Sequence, residues 1–329
     1  MSAGRISLPA VAIAFLLVAA GTGGAAAADD ADRYPNRPIR LVVPQAPGTG
    51  DIVPRLIAGK LAATLGQPVV VENRPGASAN IASDIVAKSP ADGYTLLYSS
   101  SVITLLPTMV GPTAVDPAAS FAPIVKVLAI PVLIVVNPSL GVRSLDDLVA
   151  LARQRPGRIA YATLGVGSIP HFVATAVSRR AGIDMLHVPY NNLGQAVNNV
   201  VSGDVPVFFT FYSQVQQHLP GGTLAVLAIA SARRAPMLPD VPTVVELGYP
   251  EAIVEPWTGM FAPAGTSPEI VDRLNRAVNA ILALPDVRDR FSQLGMEPLG
   301  STPERFAADI RAQLARWPEI VKAAGIKRD

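Results

Sequence analysis

Two short turns carry the residue types that can hold an anion without a cation. The first reads Val43-Pro44-Gln45-Ala46-Pro47-Gly48-Thr49-Gly50-Asp51 and the second Thr163-Leu164-Gly165-Val166-Gly167-Ser168. Each follows an apolar stretch and leads into a helical pattern, so its glycines permit a sharp turn that aims the unpaired amide N–H groups of a helix start at a ligand. Neither turn contains Arg or Lys. A bound negative charge would then be balanced by helix N-termini, amides and the hydroxyls of Thr49, Thr163 and Ser168. Neither turn has the spaced glycines of a dinucleotide site or the lysine of a phosphate loop, and taken singly each also reads as an ordinary strand-to-helix turn. Asp51, awkward beside an anion, is read as the N-cap of the following helix, and Arg55 as facing solvent or an acid.

Other polar and aromatic residues fall at strand or helix ends. His171 lies in the first turn of a helix, where it either donates to a ligand or packs and caps. Ser99 and Ser100 close one strand, and Tyr190, Asn191 and Asn192 follow another. The carboxyl edges of strands are where open α/β sheets hold ligands. The run Phe208-Phe209-Thr210-Phe211-Tyr212 concentrates aromatic residues in a chain that is 5% aromatic. Alternation assigns part of it to sheet packing and leaves Phe211 and Tyr212 to wall a cleft, which favours a ligand with an apolar or aromatic far end. Ser168 with His171 also offers a nucleophile and a base, yet the G-x-S-x-G elbow is missing and no acid lies nearby in sequence, so a secreted hydrolase is the minor alternative.

The elements that must position these groups alternate. Strands are expected at 39–44, 68–72 and 94–98, with helices at 51–65 and 78–88 between them. A second series runs through a helix at 145–153, a strand at 159–162, a helix at 170–180, strands at 185–188 and 205–210, and a helix at 195–201. This pattern predicts an α/β protein of βαβ units with parallel sheets. Roughly 300 residues exceed what one core usually supports, so two lobes are expected. The boundaries are 29–131 with 253–329 for the first lobe and 132–252 for the second, with the ligand cleft between them. Helices at 268–284 and 303–324 open behind a Ser or Thr and a Pro, and are expected to pack on the first lobe. Trp257 is expected to pack near the hinge.

Composition excludes several functions. The absence of cysteine removes disulfides, thiolate metal sites and a cysteine nucleophile. Three histidines, His171, His187 and His218, show no zinc-ligand spacing, and no cofactor or metal is expected. A formal net charge of +2 without any run of Lys and Arg gives no footprint for nucleic acid, and a monomer is expected. At the N-terminus, Arg5, an apolar core and the small-residue stretch Ala25-Ala26-Ala27-Ala28 read as a signal peptide over residues 1–28, cleaved near Ala28, which places the soluble product in the periplasm.

The segments Tyr34-Pro35-Asn36-Arg37-Pro38, Gly66-Gln67-Pro68-Val69-Val70-Val71-Glu72-Asn73-Arg74-Pro75-Gly76-Ala77 and Ser89-Pro90-Ala91-Asp92-Gly93-Tyr94 resemble the opening of the Bug family. The likeness continues in order through Gly165-Val166-Gly167-Ser168, His187-Val188-Pro189-Tyr190, Leu238-Pro239-Asp240-Val241-Pro242-Thr243 and Ala262-Pro263-Ala264-Gly265-Thr266, nearly the whole chain. These are the substrate-binding receptors of tripartite tricarboxylate transporters. The resemblance implies a two-lobed fold like type II periplasmic binding proteins and a small carboxylate held between residues 45–51 and 163–168. It also implies delivery to one large and one small integral-membrane subunit, with a ligand-binding sensor for signalling as the alternative. The chain departs from the family in the shorter glycine run of its first turn and in Pro206, where many relatives carry aspartate.

Overall fold

The computed structural model describes residues 33–111 and 115–324. The proposed leader and its cleavage site lie outside them. Backbone contacts divide the chain into residues 1–34, of which only Arg33 and Tyr34 are described, and residues 35–329, which hold every element below.

The fold is α/β with two lobes, each built on one sheet. The first sheet has the order β11-β4-β10-β3-β1-β2. Its strands are β1 (Ile39–Val43), β2 (Val69–Asn73), β3 (Thr95–Ser100), β4 (Phe121–Ala129), β10 (Trp257–Pro263) and β11 (Glu297–Pro298). The second has the order β7-β6-β8-β5-β9. It comprises β5 (Val132–Val136), β6 (Ala160–Thr163), β7 (Leu186–Pro189), β8 (Val207–Phe211) and β9 (Ala225–Ile229). The strands β5 and β10 are buried at every position, as continuous apolar runs between two covering layers must be.

The longer helices are α1 (Ile52–Leu65), α2 (Asn80–Ala87), α3 (Val102–Met109), α4 (Leu145–Gln154), α5 (Ile169–Ala181), α6 (Leu193–Ser202), α7 (Pro268–Leu282), α8 (Pro285–Gln293) and α9 (Pro303–Ala324). Their starts follow capping rules. Ser144 accepts from Asp147 N–H while the Asp147 carboxylate accepts from Ser144 N–H, closing a capping box on α4. Ser168, Asn192 and Ser267 cap α5, α6 and α7 with their side-chain oxygens.

The sheets are mixed where parallel ones are expected. In the first, β10 runs antiparallel to both β3 and β4; in the second, β5 runs antiparallel to β8 and β9. The reason is the crossing between lobes. Strands of βαβ units run toward the cleft and end there, whereas β5 starts at that edge, with Val132 opposite Phe211, and must run away from it. The two crossing segments, 130–131 and 253–256, are joined by the Ile130 N–H donating to the Pro256 carbonyl at 2.9 Å.

Helix α9 extends beyond the first lobe. Phe306 and Ile310 join Val42, Leu97 and Phe261 in the first lobe's core, and Phe306 covers Gly259 so closely that a Cβ there would sit 2.3 Å from the ring. Further along, Trp317 and Val321 belong to the core formed by Phe172, Val173 and Phe209 of the second lobe. Trp257 is fully buried and donates to Gln313 of α9 at 3.0 Å. Among the described residues no helix is long and apolar enough to cross a membrane.

Candidate functional site

The turn after β1 is organised by the chain's own carboxylate. Asp51 is buried, and one of its oxygens accepts from the Gly48 N–H at 3.1 Å. The other accepts from Arg55 Nε at 2.8 Å and from Asn73 Nδ2 at 3.0 Å. Asn73 also donates to the Gln45 carbonyl at 2.8 Å and accepts from Arg55 at 2.9 Å. Asp51 therefore stands at the N-cap position without making the side-chain cap bond expected of it, because one oxygen is turned back to the Gly48 amide and the other is held by Arg55 and Asn73. Arg55 meets an acid. Its guanidinium holds the Asp51 carboxyl below the usual carboxylate range, with burial opposing and the Gly48 and Asn73 bonds assisting. The Gly48 amide, read from sequence as a donor to a ligand, is thus already engaged.

Parallel pairing of β1 with β3 puts their carboxyl ends on the same edge. At that edge the Ser99 and Ser101 hydroxyls and Gln45 Oε1 are buried without a hydrogen-bond partner among the described residues. Such groups are available to a solute or to water.

In the second lobe, Gly165 and Gly167 take positive φ, +106° and +75°, which glycine adopts without strain. The turn between β6 and α5 rests on a stack of rings. His171 Nδ1 accepts from the Gly167 N–H at 3.1 Å, so its proton is on Nε2. The Thr163 hydroxyl donates to the Gly165 carbonyl at 3.1 Å, so in its 2.7 Å contact with His187 Nε2 it accepts. The two imidazoles stack, and Tyr161 stacks on the far side of His187 at 4.9 Å. Burial, together with His171 alongside, pushes His187 down to about 4, and burial lowers His171 as well. Ser168 Oγ accepts from the His171 N–H at 3.4 Å, which leaves its own proton to donate. With Pro170 lacking an N–H and Gly167 engaged, Ile169 carries the first-turn amide without an acceptor among the described residues.

This turn opens on a cavity of about 560 Å³. The first lobe contributes Ser78 and one face of α3; the second contributes 164–170 and Phe211. Ser78 sits in a strained turn, since Ala77, Ser78 and Ala79 all have positive φ, 45°, 50° and 81°, where residues with a side chain rarely lie.

Of the residues read from sequence, Gly167, Ser168 and Phe211 line this cavity, while Gln45, Ala46, Pro47, Gly48, Gly50 and Asp51 form the separate first-lobe turn. Thr163, Gly165 and His171 support the second turn from beneath. Tyr190 is buried in the second lobe's core, its hydroxyl accepting from Asn199 at 2.8 Å. Asn192 caps α6, and Asn191 is exposed. Tyr212 is not among the residues lining this cavity and packs on Gly295, where a Cβ would meet its ring at 2.1 Å. The wall formed by α3 was missed from sequence. Its signal, the apolar run that directly follows Ser99, Ser100 and Ser101, is obscured by Pro107 inside the helix. For the hydrolase reading, His171 directs Nδ1 to the Gly167 amide, and its bond with Ser168 runs through its backbone.

Residues 53–326 match the tripartite tricarboxylate transporter family receptor, TctC. The chain is similar to BugT of Bordetella pertussis, 39% identical over 313 residues that cover 93% of this chain and 95% of BugT. Among solved structures it resembles Rpa4515 of R. palustris with adipate, at 34% identity and TM-score 0.72, covering 89% of this chain and 98% of that one. It also resembles MatC from Rhodopseudomonas palustris with bound malate, at 31% identity and TM-score 0.69, covering 88% and 100%.

Proposed function

The chain belongs to the Bug family of tripartite tricarboxylate transporter receptors, which are periplasmic solute-binding proteins, and from that premise we propose that it captures a small carboxylate and delivers it to a large and a small membrane subunit. The observation that carries the reading is the start of α5. There the Ser168 hydroxyl and Ile169 amide face a cavity bounded by both lobes, an arrangement that holds an anion with hydrogen bonds and a helix dipole. Relatives bound to adipate and malate support a carboxylate here. The lobes extend over 29–131 with 253–329 and over 132–252, and export removes residues 1–28.

The test is a thermal-shift and calorimetric survey of carboxylates alongside assays with generic esters. Saturable stabilisation without turnover is expected, amounting to about 2.7 kcal/mol for a ligand at 100 times its dissociation constant. Failure of every carboxylate to bind, or ester turnover dependent on Ser168, would overturn the proposal.

A further inference from the structure

We infer, on the carboxylate reading above, that Ser78 is the first lobe's contact with the solute, its hydroxyl donating to a solute oxygen across the cleft from Ser168. A solute held in this way is tied to both lobes.

Six residues of the first lobe line the 560 Å³ cavity, and five of them, Val102, Leu105, Leu106, Met109 and Val110, have hydrocarbon or thioether side chains. Ser78 is the sixth, and it alone brings a side chain that donates a hydrogen bond. It is exposed, and its hydroxyl has no hydrogen-bond partner among the described residues. Gln45 Oε1 and the hydroxyls of Ser99 and Ser101 also lack partners there, but those atoms are buried, and none of the three residues lines the cavity. The amide of Gly48, on the turn after β1, is held by Asp51.

The backbone supports the same assignment. Ala77, Ser78 and Ala79 take positive φ in succession, a conformation that costs free energy at each residue carrying a side chain. No bond of the Ser78 side chain among the described residues offsets that cost, and strain of this kind persists where it holds a group in a working position. Glycine at 78 would relax the turn. Serine keeps the strain and adds a hydroxyl at the cavity, where donation to a carboxylate makes a charge-assisted bond roughly twice as strong as a neutral one.

The experiment measures binding of adipate, malate and the carboxylate that gives the largest thermal shift, by calorimetry, in the wild type and in Ser78→Ala, Ser78→Gly and Ser99→Ala. Both substitutions at 78 remove the hydroxyl, but glycine relaxes the turn whereas alanine leaves it strained. Affinity for the tightest of the three acids is expected to fall by about tenfold in both. Without solute, Ser78→Gly is expected to melt about 1–3 °C above the wild type. Ser99→Ala is expected to lose less affinity than either variant at 78. Wild-type affinity in both Ser78→Ala and Ser78→Gly overturns the inference and leaves the carboxylate reading standing. So does a loss in Ser78→Ala that is absent from Ser78→Gly, which would assign the effect to the backbone. A larger loss in Ser99→Ala also overturns it, by moving the first-lobe contact to the buried edge of the sheet. If the wild type binds no carboxylate, the receptor reading fails and this inference fails with it.

Discussion

The imidazole rings of His171 and His187 lie face to face, their centroids 4.1 Å apart and their planes within 10° of parallel. One ring accepts the Gly167 amide proton and the other donates to Thr163, so the pair ties both ends of the second turn to the sheet beneath it.

This pair predicts a direction of pH dependence. Both rings are held neutral in the folded protein, His187 down to about 4, whereas in the unfolded chain they take up protons near 6.5. Below about pH 6.5 the unfolded state therefore binds protons that the folded state does not, and stability falls as pH drops toward 4 and is level above 6.5 on this account. Denaturation midpoints measured between pH 7.5 and 4.5 should fall more steeply for the wild type than for His187→Gln. Parallel curves would show that His187 titrates alike in both states.

The first turn should loosen when its internal carboxylate is removed. In Asp51→Ala the Gly48 amide, Arg55 and Asn73 lose a common acceptor. Hydrogen exchange at Gly48 is expected to accelerate by on the order of tenfold, with a smaller effect in Arg55→Ala. Exchange at Gly48 that matches the wild type in both variants would show that the backbone holds the turn alone.

Gly295 is predicted to tolerate no side chain while Tyr212 is present. It has φ of +67°, and a Cβ would collide with the Tyr212 ring. Gly295→Ala should cost about 1–3 kcal/mol, as overpacking does. Adding Tyr212→Ala should recover the steric part and leave the cost of the backbone conformation. A double-mutant cycle with no coupling energy would rule out the contact as the cause.

The βα turns were legible because Gly48 and Gly167 interrupt strong apolar and helical patterns, and the starts of α7 and α9 because Pro follows a Ser or Thr. The wall of the cavity was not. Residues 102–109 carry Pro107 inside the helix, which obscures its periodicity, and their partners at 164–170 are remote in sequence. Tyr212 shows the same limit from the other side. Its position at a strand end suggested the cleft, but its direction depends on the absence of a side chain at Gly295, which local sequence does not express.

The chain has two tryptophans, and both hydrogen-bond through or along α9. Trp257 donates to Gln313 from within the first sheet, whereas Trp317 donates to Thr104 and packs on Phe172 of α5 at 5.4 Å. A helix shared by both lobes thus places one indole at a seam and the other in a single lobe's interior. In optical terms the molecule carries a probe: Trp317, bonded to Thr104 of one lobe and packed on Phe172 of the other, is expected to change its emission when the lobes rearrange. Uptake of a solute can then be followed in Trp257→Phe by fluorescence alone, without attaching a dye.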